Sequence, residues 1–266
     1  MKRIVYFWIV AILITLATSI YQRSTGPTYP KKLIYSHENT EFTVKLPRSG
    51  GIVDKEIDLN VSNAVLHYRL YPSNGPFINE PFKDGKAFLP KQGPAGKLEY
   101  YISIYDKDYF SDEPLIIRFK GDISAWVLIP HILFLFSAML FGAMTFLLAI
   151  FNDSRYIKYT RITVMALFIG GFVFGPLVQY QAFGEYWTGF PYGMDLTDNK
   201  TLIAFIALFI ALVMQFIYVL KKYHRIITII AIIVLFTIFS IPHSLNGSQL
   251  NPETGKIETG QIEAGK

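Results

Sequence analysis

Apolar residues run nearly uninterrupted for the width of a bilayer at four places in the second half of the chain: Ile123–Phe151, Ile162–Val178, Thr201–Leu220 and Ile226–Ile241. A hydrocarbon core about 30 Å thick needs about 20 such residues at about 1.5 Å of rise each, so each run predicts a membrane-spanning helix. A fifth run, Ile4–Ile20, follows Lys2 and Arg3. It reads as an uncleaved anchor over residues 1–20. Ala17-Thr18-Ser19 also offers the small-residue cleavage site of a signal peptide. Either reading exports the segment that follows.

Residues 21–122 carry a different period. Glu41–Leu46 alternates around Phe42, Val44 and Leu46. In Ala64–Tyr71, Leu66, Tyr68 and Leu70 fall on one face, and Val65, His67, Arg69 and Tyr71 on the other. Leu98–Tyr105 and Leu115–Lys120 are similar short runs. Gly50-Gly51, Ser73-Asn74-Gly75-Pro76, Asp84-Gly85 and Gly93-Pro94 supply turn chemistry between them. Short strands at this spacing predict a β-sandwich. The runs Leu66-His67-Tyr68-Arg69-Leu70-Tyr71-Pro72 and Glu99-Tyr100-Tyr101-Ile102-Ser103-Ile104-Tyr105-Asp106 resemble paired strands of the immunoglobulin-like or fibronectin type III-like modules of bacterial envelope proteins. The resemblance covers about a third of the chain. It implies a fold and carries over no functional residue.

Charge then orders these pieces across the bilayer. The formal charge of +5 and the 25 Lys and Arg residues could suggest nucleic acid. Lys2, Arg3, Arg155, Lys158, Arg161, Lys221, Lys222 and Arg225 lie at one end of the apolar runs with Asp153 as the only acid, a local charge of +7. The remaining 17 basic and 19 acidic residues sum to −2. The basic excess therefore marks cytoplasmic loops, and no basic groove for nucleic acid is left. The expected fold is an α+β membrane protein: a five-helix bundle with an immunoglobulin-like β-sandwich, residues 21–122, between the first and second helices. Residues 123–243 form the remaining four helices. Residues 244–266 form a flexible extracytoplasmic tail, rich in Gly, Glu and Thr. The setting expected is a bacterial plasma membrane with the N-terminus cytoplasmic. The chain has no cysteine, which removes disulfides, thiolate metal sites and cysteine nucleophiles.

On this topology several polar residues share the extracytoplasmic face. His131 follows Pro130 near one end of the second helix, and His243 follows Pro242 at the end of the fifth. The 179–200 connection carries Glu185, Asp195 and Asp198 among many aromatics, and it is expected to fold back over the bundle as a lid. His131 and His243, with Asp195, Asp198 or Glu185, could ligate zinc, copper or non-haem iron. The two histidines could instead be the axial ligands of a b-type haem.

Simpler roles compete with that site. Asp195 and Asp198 fit a helix N-cap with an acidic first turn, and Lys200 would then pair with Asp198 or reach outward. The rings of the connection suit the headgroup layer. Gly170, Gly171 and Gly175 read as close helix packing, and Gln215 and Tyr218 as bonded to neighbours. Nucleotide-binding, hydrolase-elbow and calcium-loop signatures are missing, as are an inverted repeat and a chain of intramembrane charges. The expectation is an accessory or interaction subunit of an envelope or membrane complex, contacting other proteins through the sandwich. The alternative is a metal- or haem-binding membrane protein, either an oxidoreductase or a cofactor handler.

Overall fold

The computed structural model describes residues 2–37, 40–61, 63–242, 249–251 and 257–258. Within these, the chain is α+β and divides into two compact units. One comprises Met1–Gly26, Ile123–Gln181 and Glu185–Gly247; the other comprises Pro27–Asp122, Ala182–Gly184 and Ser248–Lys266.

The helical unit contains α1 (Lys2–Thr25), α2 (Ala125–Ile150), α3 (Tyr156–Phe168), a π-helical stretch (Ile169–Phe174), α4 (Gly175–Phe183), α5 (Leu196–Met214), a 3-10 helix (Tyr218–Tyr223) and α6 (His224–Ser240). Taking α3 through α4 as one rod and the 3-10 helix with α6 as another, five helices are long and apolar enough to cross a membrane. The third rod runs from Tyr156 to Phe183, longer than the Ile162–Val178 run predicts, because Tyr156–Arg161 continues it as an amphipathic turn. The fourth run breaks early. Its α-helix stops at Met214 and gives way to the 3-10 turn, which leaves Tyr218 84% exposed. Gln215 becomes the C-cap, and its buried amide has no hydrogen-bond partner among the described residues, contrary to the expectation for it.

α2 is the centre of this unit. Its Ala138 and Met139 join Val164, Leu167, Ala204, Leu208, Ala211, Ile232 and Leu235 in one core. Its Ala143, Met144 and Leu148 pack with Phe7 and Ala11 of α1 in a second. Small residues set the approach. A methyl at Gly171 would lie 2.6 Å from the Thr201 side chain, so α5 can pass there only beside a glycine. The π-helical stretch ends just before Pro176. Proline lacks an N–H and crowds the preceding turn, and a wider turn relieves that crowding.

The β unit contains β1 (Lys31–His37), β2 (Thr40–Leu46), β3 (Ser49–Gly50), β4 (Lys55–Asp58), β5 (Ala64–Leu70), β6 (Ile78–Pro81), β7 (Lys86–Leu89), β8 (Lys97–Ile104), β9 (Lys107–Tyr109) and β10 (Leu115–Phe119). The main sheet has the order β3-β10-β8-β5-β6, with β9 also on β8. β1 pairs with β2, and β4 with β7, as separate antiparallel ribbons. One core unites them, with Leu33, Leu46, Ile57, Leu66, Leu89, Tyr100, Ile102, Ile117 and Phe119 at its heart. The expected split of β5 holds: Leu66 is fully buried, and Tyr68 packs against the core. On the other face Arg69 bonds its register partner Glu99 at 2.6 Å, while His67 stacks on Tyr101.

The turns follow local chemistry. Asp84-Gly85 and Tyr105-Asp106 both have positive φ at their two central residues, the geometry that suits the twist of tight hairpins. Tyr105-Asp106 carries no glycine, so it did not stand out as a turn in the sequence.

The β unit begins at Pro27 rather than residue 21, because α1 continues to Thr25. In the 244–266 segment, Gln249–Leu250 pairs with Ile257–Glu258. The Leu250 N–H also donates to the Ala95 carbonyl, and the Lys97 ammonium donates to Gln249. These residues are ordered where the composition had suggested a free tail. The rest of that tail lies outside the described residues.

Candidate functional site at the 179–200 connection

Helix α4 continues the connection's first residues as far as Phe183, and α5 begins at Leu196. Only twelve residues lie between them. Asp195 is the N-cap of α5. Its Oδ1 accepts from the backbone N–H of Thr197 at 2.7 Å and of Asp198 at 3.4 Å. The first turn of a helix has no internal acceptors for its N–H groups, and an aspartate there supplies one.

Asp198, one turn on, faces back into the connection. Its Oδ2 accepts from the Thr188 N–H at 2.6 Å, the Thr188 hydroxyl at 3.1 Å and the Gln179 amide at 3.1 Å. Thr188, Asp195 and Asp198 are all buried. Three donors converging on one oxygen are what a buried carboxylate requires in place of water. Asn199 Oδ1 accepts from the Phe190 N–H at 2.7 Å, and the Trp187 indole donates to the Phe190 carbonyl at 3.1 Å. Trp187 also stacks on Phe172. The connection is therefore folded back onto its own flanking helices, as a lid would be, and polar side chains hold it there.

Lys200 neither pairs with Asp198 nor reaches outward. It is buried, and its ammonium donates to the carbonyls of Ile241 at 2.8 Å and Pro242 at 3.0 Å. Pro242 ends the last helix, and the carbonyls left free there carry its negative dipole end. A cation early in α5 opposes α5's own dipole. Bonding to the neighbouring helix terminus explains why it points sideways. Gln22 of α1 reaches the same Ile241 carbonyl at 3.4 Å.

His131 lies on α2, half-buried, and Nδ1 is 2.9 Å from the carbonyl of Gly170 in the π-helical stretch. A carbonyl can only accept, so Nδ1 carries a hydrogen and donates it. His243 lies outside the described residues. Glu185 is exposed. Asp195 and Asp198 are occupied as a cap and as the clasp on Thr188. Among the described residues no three His, Cys, Asp or Glu side chains are grouped to hold a metal ion.

Sequence reasoning identified Asp195 as a cap but missed Thr188, Gln179 and Asn199 as its companions in holding the connection. No spacing rule links Thr188 to Asp198. Their pairing depends on the path of the intervening turn, in which the Tyr192 and Gly193 N–H groups both donate to the Gly189 carbonyl.

The β unit offers one other surface of note. Ile52, Val53 and Phe88 are exposed, and a cleft of about 560 Å³ is lined by Val53, Asp54, Phe88 and Lys91. Asp54 is fixed there by the Lys91 backbone N–H at 2.8 Å. Phe88 stands on the outer face of β7, whose Ala87 and Leu89 point into the core. Comparison with protein-family models, with curated proteins and with solved structures gives no match.

Proposed function

We propose that this chain is an accessory or interaction subunit of an envelope or membrane complex, with an immunoglobulin-like sandwich as its binding module. The observation that carries the reading is the Ile52–Val53–Phe88 surface beside its cleft. Large apolar side chains stand outward on a unit whose core is already complete without them. Exposed apolar groups rimmed by polar ones are a usual mark of a protein-binding surface. Asp195, Asp198 and Lys200, the buried charged groups of the connection and of α5, make structural bonds.

The charge distribution supports an orientation. Lys2, Arg3, Arg155, Lys158, Arg161, Lys221, Lys222 and Arg225 would face the cytoplasm of a bacterial plasma membrane, and the sandwich would face outward. Since the chain lacks cysteine, single cysteines at Lys158 and Asp112 report this directly through a membrane-impermeant thiol reagent on intact cells. Labelling at Asp112 alone is expected, and labelling at Lys158 alone inverts the topology.

The binding role is tested by a photo-crosslinking residue at Val53 in the full chain in its native membrane. A discrete adduct is expected that Phe88→Ser abolishes, while a crosslinker at Glu113, elsewhere on the unit, gives none. No adduct at Val53, or an identical one at Glu113, rejects this surface.

A second reading rests on His131. Its Nδ1–H···O=C bond is the arrangement that orients a metal-ligating imidazole and leaves Nε2 to the metal. A metal or b-type haem shared with His243 is then the alternative, for an oxidoreductase or a cofactor handler. Metal analysis and a visible spectrum of the purified protein test it. A bound metal or Soret band lost in His131→Ala and in His243→Ala supports it, and a colourless, metal-free wild type rejects it.

A further inference from the structure

We propose that residues Trp187–Met194 form a preorganised aromatic anchor that seats in the lipid headgroup layer at their end of the helical unit. The inference stands apart from whatever partner the β unit binds.

Three observations converge. The first is exposure: Phe190 is 65%, Tyr192 85% and Met194 70% exposed. Side chains of this size on a short loop tip are unfavourable in water, and no charged residue interrupts Trp187–Met194.

The second is the backbone. The N–H groups of Thr188, Phe190, Tyr192, Gly193 and Asp195 all donate to acceptors within the connection or at the start of α5. Pro191 has no N–H to satisfy. Internal bonding of this kind suits a loop entering a zone of lower polarity, where unpaired N–H groups are costly.

The third is position. The loop joins two helices that are each long and apolar enough to span a bilayer, so both its ends emerge at one membrane surface. The Gln181 side chain accepts from the Ser124 N–H at 2.8 Å, which brings the start of α2 to the same level. There Trp126 is 88% exposed, and Tyr180 and Tyr186 form an exposed stacked pair. With the loop tip they supply the Trp and Tyr side chains that membrane proteins place at the headgroup level. The clasp formed by Asp198 and Asn199 fixes the tip before it meets lipid, so little ordering entropy remains to be lost on insertion.

The test uses the full chain alone in phospholipid nanodiscs, with a nitroxide on Tyr192→Cys as its single thiol. Collision with oxygen and with an aqueous nickel chelate reports depth. Ile230→Cys on the exposed side of α6 and Asp112→Cys on the β unit give the lipid and water limits. The Tyr192 label is expected to lose nickel collisions and gain oxygen collisions relative to Asp112, lying between the two limits. Asp198→Ala should return it toward the aqueous limit with a more mobile spectrum. Accessibility equal to that of Asp112 in the wild-type background overturns the proposal. So does a label that is aqueous in nanodiscs and shielded only in native membranes, which would assign the tip to a protein partner.

Discussion

In the β unit the largest fully buried side chains include Tyr100, Phe119, Leu33, Leu66 and Ile117. In the helical unit the residues with no exposure include many small or hydroxyl-bearing ones, Ala138, Ala149, Ala204 and Ala211 with Thr145, Thr160, Thr163 and Thr228, beside large ones such as Leu167, Leu208 and Leu235. Many of its other large apolar residues, such as Ile129, Leu133, Ile206, Phe209, Ile230 and Ile233, stand outside. Both units bury leucine and isoleucine, but the helical interior adds buried threonines and more alanines. In water, expelling apolar surface drives packing, so size is an advantage inside. Between helices surrounded by lipid that drive vanishes, and close backbone approach and hydrogen bonds take its place. Three of these threonines show how this works. Thr145, Thr160 and Thr163 each donate to the carbonyl one turn back, and so enter the interior with their hydroxyls satisfied.

Removing size should therefore hurt the β unit most. Leu66→Ala is expected to cost about 2–5 kcal/mol and to expose residues 27–122 to protease in the full-length protein. Ile230→Ala, an equally large truncation on the outside of α6, should leave detergent-solubilised thermal stability nearly unchanged. Equal losses at the two sites would erase the contrast between the units.

Adding size should hurt the helical unit. Gly171→Val drives a side chain into Thr201 and should cost about 1–3 kcal/mol, read as a lower unfolding midpoint in mild detergent. Gly51, whose added methyl would meet nothing within 4 Å, is the β-unit control and should tolerate alanine. Next in size is the lysine clasp. Lys200→Met keeps the length but removes the donor to the Pro242 carbonyl and leaves Ile241 only the longer bond from Gln22, a loss of about 1–3 kcal/mol. The Asp195→Ala cap removal should cost about 1 kcal/mol, measurable as faster hydrogen exchange in the first turn of α5.

The smallest effect concerns pH. Asp153 makes a 2.7 Å ion pair with Arg155 in the short link between α2 and α3. The Arg155 guanidinium holds the Asp153 carboxyl well below the usual range, at about 2. A depressed acid stabilises the fold above its unfolded value near 3.9, and that contribution fades as pH falls toward 2. The Arg155 side chain is 53% exposed, so the pair is screened and worth less than about 1 kcal/mol. Asp153→Asn should lower stability at pH 7 by less than about 1 kcal/mol, a loss that shrinks as pH falls toward 2, and so flatten this part of the acid-stability profile. A loss as large at pH 2 as at pH 7 would mean the link does more than pair charges.

Residue periodicity determined much of the molecule. It located the five apolar helices, four of the strands to within a residue or so at each end, and the Asp195 cap, because local hydrophobic spacing and capping chemistry are read over a few neighbouring residues. Charge alone suggested an orientation. The end of α5 at Met214 and the π-helical stretch depend on how neighbours pack, and periodicity could not reach them. β4, β6, β7 and β9 are three or four residues long, too short to show alternation. Lys200 is the clearest case of what only tertiary structure decided. In the sequence it sits two residues from Asp198 and invites a local ion pair. In the fold its partners are carbonyls at Ile241 and Pro242, more than forty residues away, because two antiparallel helices bring a helix terminus in need of a donor beside a buried ammonium in need of acceptors.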